Sequence, residues 1–499
     1  MTLLIAPITM QELEREQIST GKTAHALIRT AGEACANAIS AHFPALRRVL
    51  ICAGPGNNGA DALVAAEFLL QKMVSVTIVT WHRPLADSWL TNARAAGADY
   101  IENWDAQAIK TLLPHVDVVI DGLFGIGLNR APEGALADLI TTLNSRHRRL
   151  PLIAIDIPSG CNAADGSIPG VCLRADLTLS TGPRKHGLYL LPTLAMTGTI
   201  VELDIGISIP PYDRRATLLL DEHTVSSLLP VRPADSYKGT YGIVCVWAGS
   251  VAYPGAAQLA CLATARTGAG IVSLAGAQSS FEHCWSTPEV TLTPFHDDPL
   301  EALVQSHFST YLIGPGIGRS ADAATLLVDF LSSPDVAGRP VVLDADALTL
   351  LARIPDWQQV IAALPCVLTP HYGELRRLAG GQCADLPPIA LAQHYAKTWG
   401  QVIVMKGSVT VVASPDGRTA LWAHPNPVLA VAGSGDVLAG IIAGLIAQHA
   451  DLYAAACAGV AVHGLAGSHV GHTIGNVGAL ASDLTTALPH VLQSLYALR

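Results

Sequence analysis

The sequence is poor in charged residues: Asp, Glu, Lys and Arg together make up 14% of its 499 residues. Half of the residues are hydrophobic. This composition is typical of large α/β domains whose sheets are covered on both faces. Because one hydrophobic core rarely grows beyond about 250–300 residues, the length predicts two or three domains. The formal net charge of −10 argues against general nucleic-acid binding, which needs clustered Lys and Arg.

The chain also lacks the usual signs of a metal-binding, exported or membrane protein. Its ten cysteines are scattered singly, without a C-x-x-C pair, which predicts buried free thiols in a reducing compartment. The first ten residues contain no basic leader and no cleavage pattern, so export is not expected. The longest apolar run, Val437 to Ala447, is too short to span a bilayer. We therefore expect a cytoplasmic protein that has no membrane partner.

Glycine is plentiful, and its most informative occurrence is the motif Gly433-Ser434-Gly435-Asp436. The apolar run that follows predicts a buried helix. Glycines let a ligand approach the backbone closely, and the free N–H groups at a helix N-terminus bind anions. Asp436 has two interpretations at this position. It either caps the helix or takes a proton from a hydroxyl group during phosphoryl transfer.

A β-loop-α-β unit is predicted near the start of the chain. Its first strand, residues 49–52, leads into a loop, residues 54–61, and a helix is expected from Ala62 to Lys72. The loop contains G-x-G-x-x-G, but the second strand ends in Trp81 rather than in the acidic residue that a dinucleotide dehydrogenase uses. No Gly-Lys-Ser/Thr closes a P-loop. The amides of Asn57 and Asn58 suit a nucleotide-like ligand and a monovalent cation.

Two further predicted strands end in polar residues. Asp121 follows one strand and precedes a glycine-rich loop, and Asp156 and Ser159 follow the next. Each of these residues alone is readily explained as a turn residue. Because parallel strands end at the same edge of a sheet, we expect them to converge with Asn58 on one crevice.

The second half of the sequence repeats this pattern of strands that lead into glycine-rich or acidic loops. A segment that breaks the periodicity, Ile205 to Asp213, is the predicted domain boundary. The motifs that follow it are Pro254-Gly255-Ala256, Gly314-Pro315-Gly316-Ile317-Gly318, Asp344-Ala345-Asp346, Thr369-Pro370-His371-Tyr372-Gly373-Glu374 and Lys406-Gly407-Ser408-Val409-Thr410.

Over nearly its whole length the chain resembles the bifunctional NAD(P)H-hydrate repair enzymes. Asn57-Asn58-Gly59-x-Asp61 is similar to the signature loop of the epimerases in this family. Gly433 to Asp436 and the Thr369–Glu374 motif resemble the ribokinase-like, ADP- or ATP-dependent dehydratases. The resemblance implies two doubly wound α/β domains. Residues 1–212 would form a Rossmann-like, three-layer αβα epimerase domain, and residues 213–499 a ribokinase-like αβα dehydratase domain.

The resemblance further implies the reactions and the catalytic residues. The first domain would interconvert the R and S hydrates of NADH and NADPH, with Asp156 as acid or base. The second would dehydrate the S form back to NAD(P)H, with Asp436 as base, and would release AMP and phosphate when ADP is used. Potassium would be bound by Asn58, Asp121 and Ser159. Magnesium would accompany the ADP or ATP, and Glu374 would order it through water.

The resemblance also implies which residues bind the small molecules. The partners would be NADHX, NADPHX and ADP, and a homo-oligomer is expected. Substrate-binding residues would be Asn57, Asn58, Gly59, Ala60, Asp61, Gly125, Ile126, Gly127, Leu128, Asn129, Arg130, Ala131, Asp156, Ala256, Gly318, His371 and Asp436. Nucleotide-binding residues would be Lys406, Gly407, Ser408, Val409, Thr410 and Gly435.

Two other interpretations stay open at this point. The second domain could be a vitamin or sugar kinase that releases a phosphorylated product. The first domain could bind nucleotides without catalysis, because Ala60 and Ala62 stand where the epimerase family usually has glycine. Lys185 could approach a phosphate or lie on the surface.

Overall fold

A computed structural model describes residues 1–128, 130–147, 149–278, 281 and 287–499. The chain divides into one unit that spans Leu3–Ala216 and a second that spans Thr217–Arg499 together with Met1–Thr2. This division follows the segment that was predicted to separate two domains.

The N-terminal unit contains a sheet of seven parallel strands, and two further short strands, β1 and β8, pair with each other. Its strands are β1 Thr2–Ile5, β2 Arg48–Ala53, β3 Ser75–Thr80, β4 Asp99–Ile101, β5 Val118–Gly122, β6 Leu152–Ile155, β7 Leu177–Thr181, β8 Arg184–Lys185 and β9 Thr199–Leu203. Its helices are α1 Pro7–Ser19, α2 Ala24–His42, α3 Asn57–Gln71, α4 Ser88–Ala95, α5 Ala106–Leu112 and α6 Ala135–Asn144.

The strand order of this sheet, β4-β3-β2-β5-β6-β7-β9, places a topological switch point between β2 and β5. The chain runs outward from β2 through β3 to β4 and then returns to the other side of β2. Cys52 of β2 lies opposite Asp121 of β5, so the segments that follow these two strands leave the sheet side by side. Ligands of open α/β sheets bind in the crevice at such a point.

Helices cover both faces of this sheet. Successive residues of β2 alternate between two hydrophobic clusters, because side chains alternate along a strand. Val49 and Ile51 pack with residues of α2 and α3, whereas Leu50 and Cys52 pack with residues of α5 and α6. The prediction of a doubly wound, three-layer arrangement is therefore confirmed for this unit.

Helix α3 begins earlier than the sequence predicted. The helix was expected from Ala62, but it begins at Asn57, with Gly56 as its N-cap. The motif residues Asn57 to Asp61 are thus the first turns of a helix rather than a loop. Gly59 is needed for close packing, because a Cβ atom added there would lie 2.1 Å from the carbonyl oxygen of Gly54.

The C-terminal unit contains a second, larger sheet. Its strands are β10 Ala216–Leu219, β11 Ile243–Trp247, β12 Ile271–Gly276, β13 Val290–Pro294, β14 Thr310–Ile313, β15 Val341–Leu343, β16 Cys366–Leu368, β17 Val402–Met405, β18 Thr410–Ala413 and β19 Thr419–Trp422. Its helices are α7 Glu222–Leu228, α8 Pro254–Thr267, α9 Pro299–Leu303, α10 Ala321–Ser332, α11 Asp346–Leu351, α12 Trp357–Val360, α13 Tyr372–Leu378, α14 Pro388–Trp399, α15 Ser434–Ala447, α16 Leu452–Thr473 and α17 Ala481–Ala497.

The strands of this unit follow the order β13-β12-β11-β14-β15-β16-β17-β18-β19-β10. Neighbouring strands from β13 to β17 are parallel, and β18 and β19 are added in antiparallel fashion. The order reverses between β11 and β14, which creates a second switch point. The predicted doubly wound α/β class is confirmed here as well.

Helix α15, which was predicted to be buried, lies in the core of this unit. It begins at Ser434, three residues before the apolar run, and its N-cap is Gly433 in the left-handed region with φ 85°. The interpretation of Asp436 as the N-cap is therefore wrong, because Asp436 lies inside the first turn. Helix α8 packs closely on α15. A Cβ atom added to Gly440 would lie 2.5 Å from the carbonyl oxygen of Ala260.

Two expectations from composition bear on the whole chain. The nine cysteines that the structure describes are all free, and seven of them are buried. Within the described ranges, we find no helix with the length and apolar character that crossing a membrane requires.

The packing of α15 on α8 yields a test of stability. We expect Gly440→Ala to lower the free energy of unfolding by about 1–3 kcal/mol, because the added methyl group overpacks this contact. Gly255→Ala is the matched control, since a Cβ atom there meets nothing within 4 Å. It should leave stability unchanged or raise it by about 1 kcal/mol or less. Urea unfolding followed by circular dichroism measures both, and equal midpoints for the two variants would contradict the packing argument.

Candidate active sites

A cavity of about 350 Å³ lies at the switch point of the N-terminal sheet. The segments at the ends of β2, β5, β6 and β7 supply most of its wall, including the start of α3, and helix α1 and strand β8 supply the rest. The lining residues are Met10, Gln11, Glu14, Pro55, Gly56, Asn57, Asn58, Asp61, Leu123, Phe124, Gly125, Ile126, Gly127, Leu128, Asp156, Thr181 and Lys185.

Asn58, Asp121 and Ser159 come together beside this cavity, around the backbone of Phe124. Ser159 donates hydrogen bonds to the Asp121 carboxylate from its backbone N–H at 2.8 Å and from its hydroxyl at 2.7 Å. The Asn58 amide donates to the carbonyl oxygen of Phe124 at 2.9 Å, and the Phe124 N–H donates to the Ser159 hydroxyl at 2.9 Å. The strand ends that the sequence predicted to converge are therefore adjacent.

This cluster, defined by Asn58, Asp121, Ser159 and the carbonyl of Phe124, is rich in oxygen acceptors. Burial raises the pKa of Asp121 to about 6, although three hydrogen bonds favour its charged form. The side-chain oxygen of Asn58 is buried and has no hydrogen-bond partner within the described part of the chain. A buried polar atom normally finds a partner, and carbonyl, amide and carboxylate oxygens are the ligands of hard cations. The chemistry of these donors thus fits a monovalent cation.

Asp156 follows β6 in a left-handed conformation, with φ 68°, which is uncommon for a residue other than glycine. Its carboxylate accepts a hydrogen bond from the Lys185 ammonium at 2.5 Å and from the Thr181 hydroxyl at 3.1 Å. Lys185 is 1% exposed and also donates to the Thr181 carbonyl at 2.7 Å. Both sequence interpretations of Lys185 are wrong, because it is neither on the surface nor free to meet a phosphate. It forms a buried ion pair with Asp156.

Two more carboxyl groups line the cavity. Burial, together with the charges of Asp156 and Glu14, holds the pKa of Asp61 well above its usual value. Burial also raises the pKa of Glu14, and the Lys185 ammonium opposes that rise. Asp61 belongs to the predicted motif, whereas sequence reasoning missed Glu14. Glu14 lies on helix α1, which contains no recognisable motif, so only the fold reveals that Glu14 is near the cavity.

The remaining residues predicted for this cavity divide into two groups. Gly125 to Leu128 line it, and Gly125 separates Asp156 from Asn58. A Cβ atom added to Gly125 would lie 3.2 Å from the Asp156 carboxylate and 3.3 Å from Asn58 Cβ. Gly59, Ala60, Arg130 and Ala131 do not line it. Gly59 and Ala60 are buried, Arg130 is exposed, Ala131 is partly exposed, and Asn129 lies outside the described residues. Ala62 is also fully buried, in the core.

A second cavity, of about 290 Å³, adjoins the start of α15 in the C-terminal unit. Most of the predicted nucleotide-binding residues line it, whereas Val409 does not. The lining residues are Lys406, Gly407, Ser408, Thr410, Trp422, His424, Asn426, Leu429, Val431, Ser434, Gly435, Leu438, Val460, His463 and Gly464.

Lys406 is the cation of this site. Its ammonium donates to the Asp344 carboxylate at 2.6 Å and lies 4.0 Å from the Glu374 carboxylate. Burial would lower the pKa of Lys406, but these two carboxylates outweigh burial and raise it. A Cβ atom added to Gly435 would lie 3.5 Å from the Lys406 nitrogen, so the ammonium faces the amide-lined first turn of α15. Ammonium and amides together favour an anion.

Asp436 lies on the same first turn but outside the lining of that cavity. Burial raises its pKa to about 7, and the nearby carboxylate of Asp344 adds to the rise while the Lys406 ammonium opposes it. A carboxyl group with a pKa near neutrality is matched to accepting a proton at physiological pH. The first turn of α15 thus carries anion-binding amides and a potential general base within one helical turn.

The other predicted substrate residues lie near this turn. The Gly318 N–H donates to the Asp346 carboxylate at 3.0 Å, and Ala256 packs beside Gly316. His371 caps helix α13, where its Nδ1 accepts a hydrogen bond from the Gly373 N–H at 3.0 Å, and it remains half exposed. None of the three lines the cavity at Lys406.

Sequence reasoning missed His463, which faces the first turn of α15 from α16. Its Nε2 lies 3.0 Å from the Ser434 hydroxyl. Burial lowers the pKa of His463 to about 4, so the imidazole is neutral near pH 7 and fixes the Ser434 side chain without adding charge. A single histidine within an apolar helical sequence gives no signal of such a contact.

Comparisons with known proteins match both units. A family model described as NAD(P)H-hydrate dehydratase matches residues 244–490, and one described as YjeF-related protein N-terminus matches residues 24–187. A bifunctional NAD(P)H-hydrate repair enzyme of Moorella thermoacetica is 34% identical, over 94% of this chain and 92% of its own. A bifunctional NAD(P)H-hydrate repair enzyme of Salinibacter ruber is 33% identical, over 97% of this chain and 94% of its own.

A solved structure is similar to the C-terminal unit. The crystal structure of an ADP/ATP-dependent NAD(P)H-hydrate dehydratase of Bacillus subtilis, co-crystallised with ATP/Mg2+, is 31% identical. It covers 56% of this chain and 99% of its own, with a TM-score of 0.48.

The raised pKa of Asp436 predicts a pH-dependent effect on stability. The fold favours the protonated carboxyl, so ionisation of Asp436 destabilises the protein as the pH rises from its unfolded pKa, 3.8, towards its folded pKa, about 7. Asp436→Asn should therefore raise the free energy of unfolding more at pH 8 than at pH 5. Urea unfolding at both pH values measures this. Asp138→Asn, an exposed acid on α6, is the control, and an effect of Asp436→Asn that is independent of pH would contradict the argument.

Proposed function

Because the chain belongs to the family of bifunctional NAD(P)H-hydrate repair enzymes, we propose that each of its units houses one of the two activities. The N-terminal cavity interconverts the R and S hydrates of NADH and NADPH at C6 of the nicotinamide ring. The C-terminal site dehydrates the S form with ADP or ATP as co-substrate. The observation that carries this division is that each unit has a cavity of its own with a buried carboxyl group at or beside it, Asp156 in one and Asp436 in the other.

The nucleotide converts the C6 hydroxyl group into a better leaving group, because phosphate leaves carbon more readily than hydroxide does. Asp436 takes the proton of the C6 hydroxyl group while the oxygen of that hydroxyl attacks the terminal phosphorus of the nucleotide. The bond from that phosphorus to the bridging oxygen breaks, and AMP leaves when ADP is used. The phosphate then departs from C6 with the C–O electron pair, and loss of a proton from C5 restores the reduced nicotinamide.

The nucleotide would lie along the turn from Lys406 to Thr410, with its terminal phosphate at the N–H groups of Gly433 to Gly435. Those amides and the Lys406 ammonium stabilise the charge that develops on the transferring group. Magnesium, when bound, offsets the negative charge of the nucleotide phosphates. Glu374 and Asp344 offer oxygen atoms nearby, but both carboxylates face Lys406, which favours contact with magnesium through water.

On the substrate side of the same turn, Ala256, Gly318 and His371 would contact the hydrated nicotinamide nucleotide. Gly318 belongs to a loop whose glycines let a ligand approach, and Asp346 fixes the direction of its N–H. His371 is the exposed side chain of the three and is placed to donate a hydrogen bond to the substrate.

In the N-terminal cavity, the helix start from Asn57 to Asp61 and the loop from Gly125 to Ala131 would hold the substrate. Asp156 accepts and returns a proton at the oxygen bonded to C6. Its hydrogen bonds with Lys185 and Thr181 fix the position of the carboxylate for this role. For the last three residues of this loop, Asn129, Arg130 and Ala131, the proposal rests only on the resemblance to the family.

A potassium ion fits the cluster of Asn58, Asp121, Ser159 and the Phe124 carbonyl. The unpartnered oxygen of Asn58 and the carboxylate of Asp121 would be its strongest ligands. A cation there would hold the Phe124–Gly125 backbone against the substrate. A homo-oligomer and a cytoplasmic location stay predictions.

The proposed dehydration predicts a rise of kcat/KM with pH. The base form of Asp436 is required, so kcat/KM for the S hydrate should fall about tenfold for each pH unit below the folded pKa of about 7, and level off above it. Recovery of the absorbance of reduced nicotinamide measures the rate. A profile that is flat between pH 6 and 8 would contradict the role of Asp436. A stable phosphorylated product without absorbance recovery would favour a kinase.

The potassium site predicts a cation-dependent epimerisation. Exchange of potassium for lithium should slow the wild-type reaction, and Asn58→Ala should abolish this dependence and lower the rate about tenfold or more. Chromatography of the two epimers follows the reaction. Asn92→Ala, an exposed residue of α4, is the control. If potassium activated Asn58→Ala as strongly as the wild type, the assignment of the potassium site to this cluster would be contradicted.

A further inference from the structure

The N-terminal cavity gathers more titratable groups than one base needs. Glu14, Asp61 and Asp156 line it together with one ammonium, that of Lys185. Lys185 is committed to Asp156, at 2.5 Å, and to two groups of β7. Within the described ranges, no side chain or backbone group donates a hydrogen bond to the carboxylate of Glu14. The cavity therefore contains one carboxylate in a direct ion pair, that of Asp156, and another, that of Glu14, with no direct ion pair among the described residues.

The proposed epimerisation needs proton transfer at two positions. Inversion at C6 removes the hydroxyl group from one face of the ring and adds one to the other. The departing oxygen must gain a proton and the incoming water must lose one. A single carboxyl group on one wall of a cavity reaches one of these oxygens, so a second group is needed for the other.

We propose that Glu14 is the second proton-transfer residue of the N-terminal site and works with Asp156 on the two faces of the substrate ring. The inference rests on the proposed epimerisation. It deepens that function because it assigns the proton transfer on the second face to helix α1, an element that contributes nothing to the sequence motifs.

The step balances within this pair of carboxyl groups. In one direction Glu14 gives its proton to the hydroxyl on C6, and the C–O bond breaks with its electron pair on the departing water. The ring nitrogen supplies electrons to C6 meanwhile. A water molecule then attacks C6 from the other face, its oxygen forms the new C–O bond, and Asp156 takes its proton. In the reverse direction the two residues exchange roles, so the pair carries one proton between them.

Placement distinguishes Glu14 from Asp61. Asp61 lies on the second turn of α3, is 8% exposed and belongs to the wall that also holds Asn57 and Asn58. Glu14 lies on α1, which forms a separate wall with Met10 and Gln11, and it is partly exposed to the cavity. A substrate held by α3 and by the loop at Gly125 would thus have Glu14 on a different side of the cavity from Asp61.

The environment of Glu14 favours its protonated form more than water does. Burial raises its pKa, and the charge of Asp156 adds to that rise. The cations that face it, Lys185 from β8 and Arg15 from its own helix, oppose the rise. Asp61 of α3 is the remaining acid of the cavity. Glu14, which has no ion pair among the described residues, and Asp156, which is paired with Lys185, thus lie in different environments, as the acid and the base of an active site do.

The test compares Glu14→Gln with Glu16→Gln in the full-length chain. Glu16 lies on the same helix, points to solvent and pairs with Arg215 at 3.3 Å, so its substitution changes the same charge outside the cavity. Pure R hydrate of NADH is supplied, and chromatography measures its conversion to the S form from pH 5 to 9. We expect a bell-shaped profile for the wild type and for Glu16→Gln. We expect Glu14→Gln to lose about 100-fold or more in kcat, with a smaller change in KM, and to lose one limb of the profile.

Urea unfolding of the same Glu14→Gln preparation, followed by circular dichroism, shows whether the N-terminal unit is folded, and Glu14→Asp should recover part of the lost kcat. Glu14→Gln that keeps the wild-type kcat and both limbs would overturn the role of Glu14. The role of Glu14 would also be overturned if Glu14→Gln lost kcat but kept both limbs of the pH profile, and if Glu14→Asp did not restore the lost kcat. If wild-type protein does not accelerate the interconversion at all, the proposed epimerase function fails instead.

Discussion

A buried ion pair between a carboxylate and a lysine lies at the site of each unit. Lys185 is 2.5 Å from Asp156 in the N-terminal unit, and Lys406 is 2.6 Å from Asp344 in the C-terminal unit. Removal of one partner from such a pair costs about 3–5 kcal/mol, because the remaining charge is left unpaired. The contact with Asp344 also holds the Lys406 ammonium near the first turn of α15. The two pairs therefore connect the stability of each unit with its chemistry.

The two units use their lysines differently. Lys185 is fully buried and holds the carboxylate that is proposed to meet the substrate. Lys406 holds Asp344, a neighbour of Asp436, and turns its ammonium towards the first turn of α15. Asp436 thereby remains without a direct ion pair among the described residues, and burial raises its pKa to about 7. The proposed catalytic carboxylate thus has a direct ion pair in the first site, whereas burial raises the pKa of the proposed base in the second. A base of near-neutral pKa suits the phosphoryl transfer.

The family and the α/β class were predictable from the sequence, and the comparisons confirm the family. The convergence of Asn58, Asp121 and Ser159 was predictable too, because parallel strands end at one edge of a sheet. The start of α3 at Asn57 was not, since consecutive Gly and Asn residues are more common in loops. Glu14 and His463 were missed for another reason. Each reaches its site from a helix face, across a large separation in sequence, and neither belongs to a motif. The sequence left the position of Lys185 open, and only the pairing of β8 with β1 and its contact with Asp156 reveal that it is buried.

The central claim is that Asp156 serves one activity and Asp436 the other, at separate sites. The most direct measurement supplies pure R hydrate or pure S hydrate, with nucleotide and magnesium, to Asp156→Asn and to Asp436→Asn. The account predicts that Asp156→Asn restores NADH from S but not from R above the uncatalysed rate. Asp436→Asn should interconvert R and S without restoring NADH, and a mixture of the two variants should restore NADH from R. Restoration from S by Asp436→Asn at the wild-type rate, or interconversion by Asp156→Asn at the wild-type rate, would contradict it.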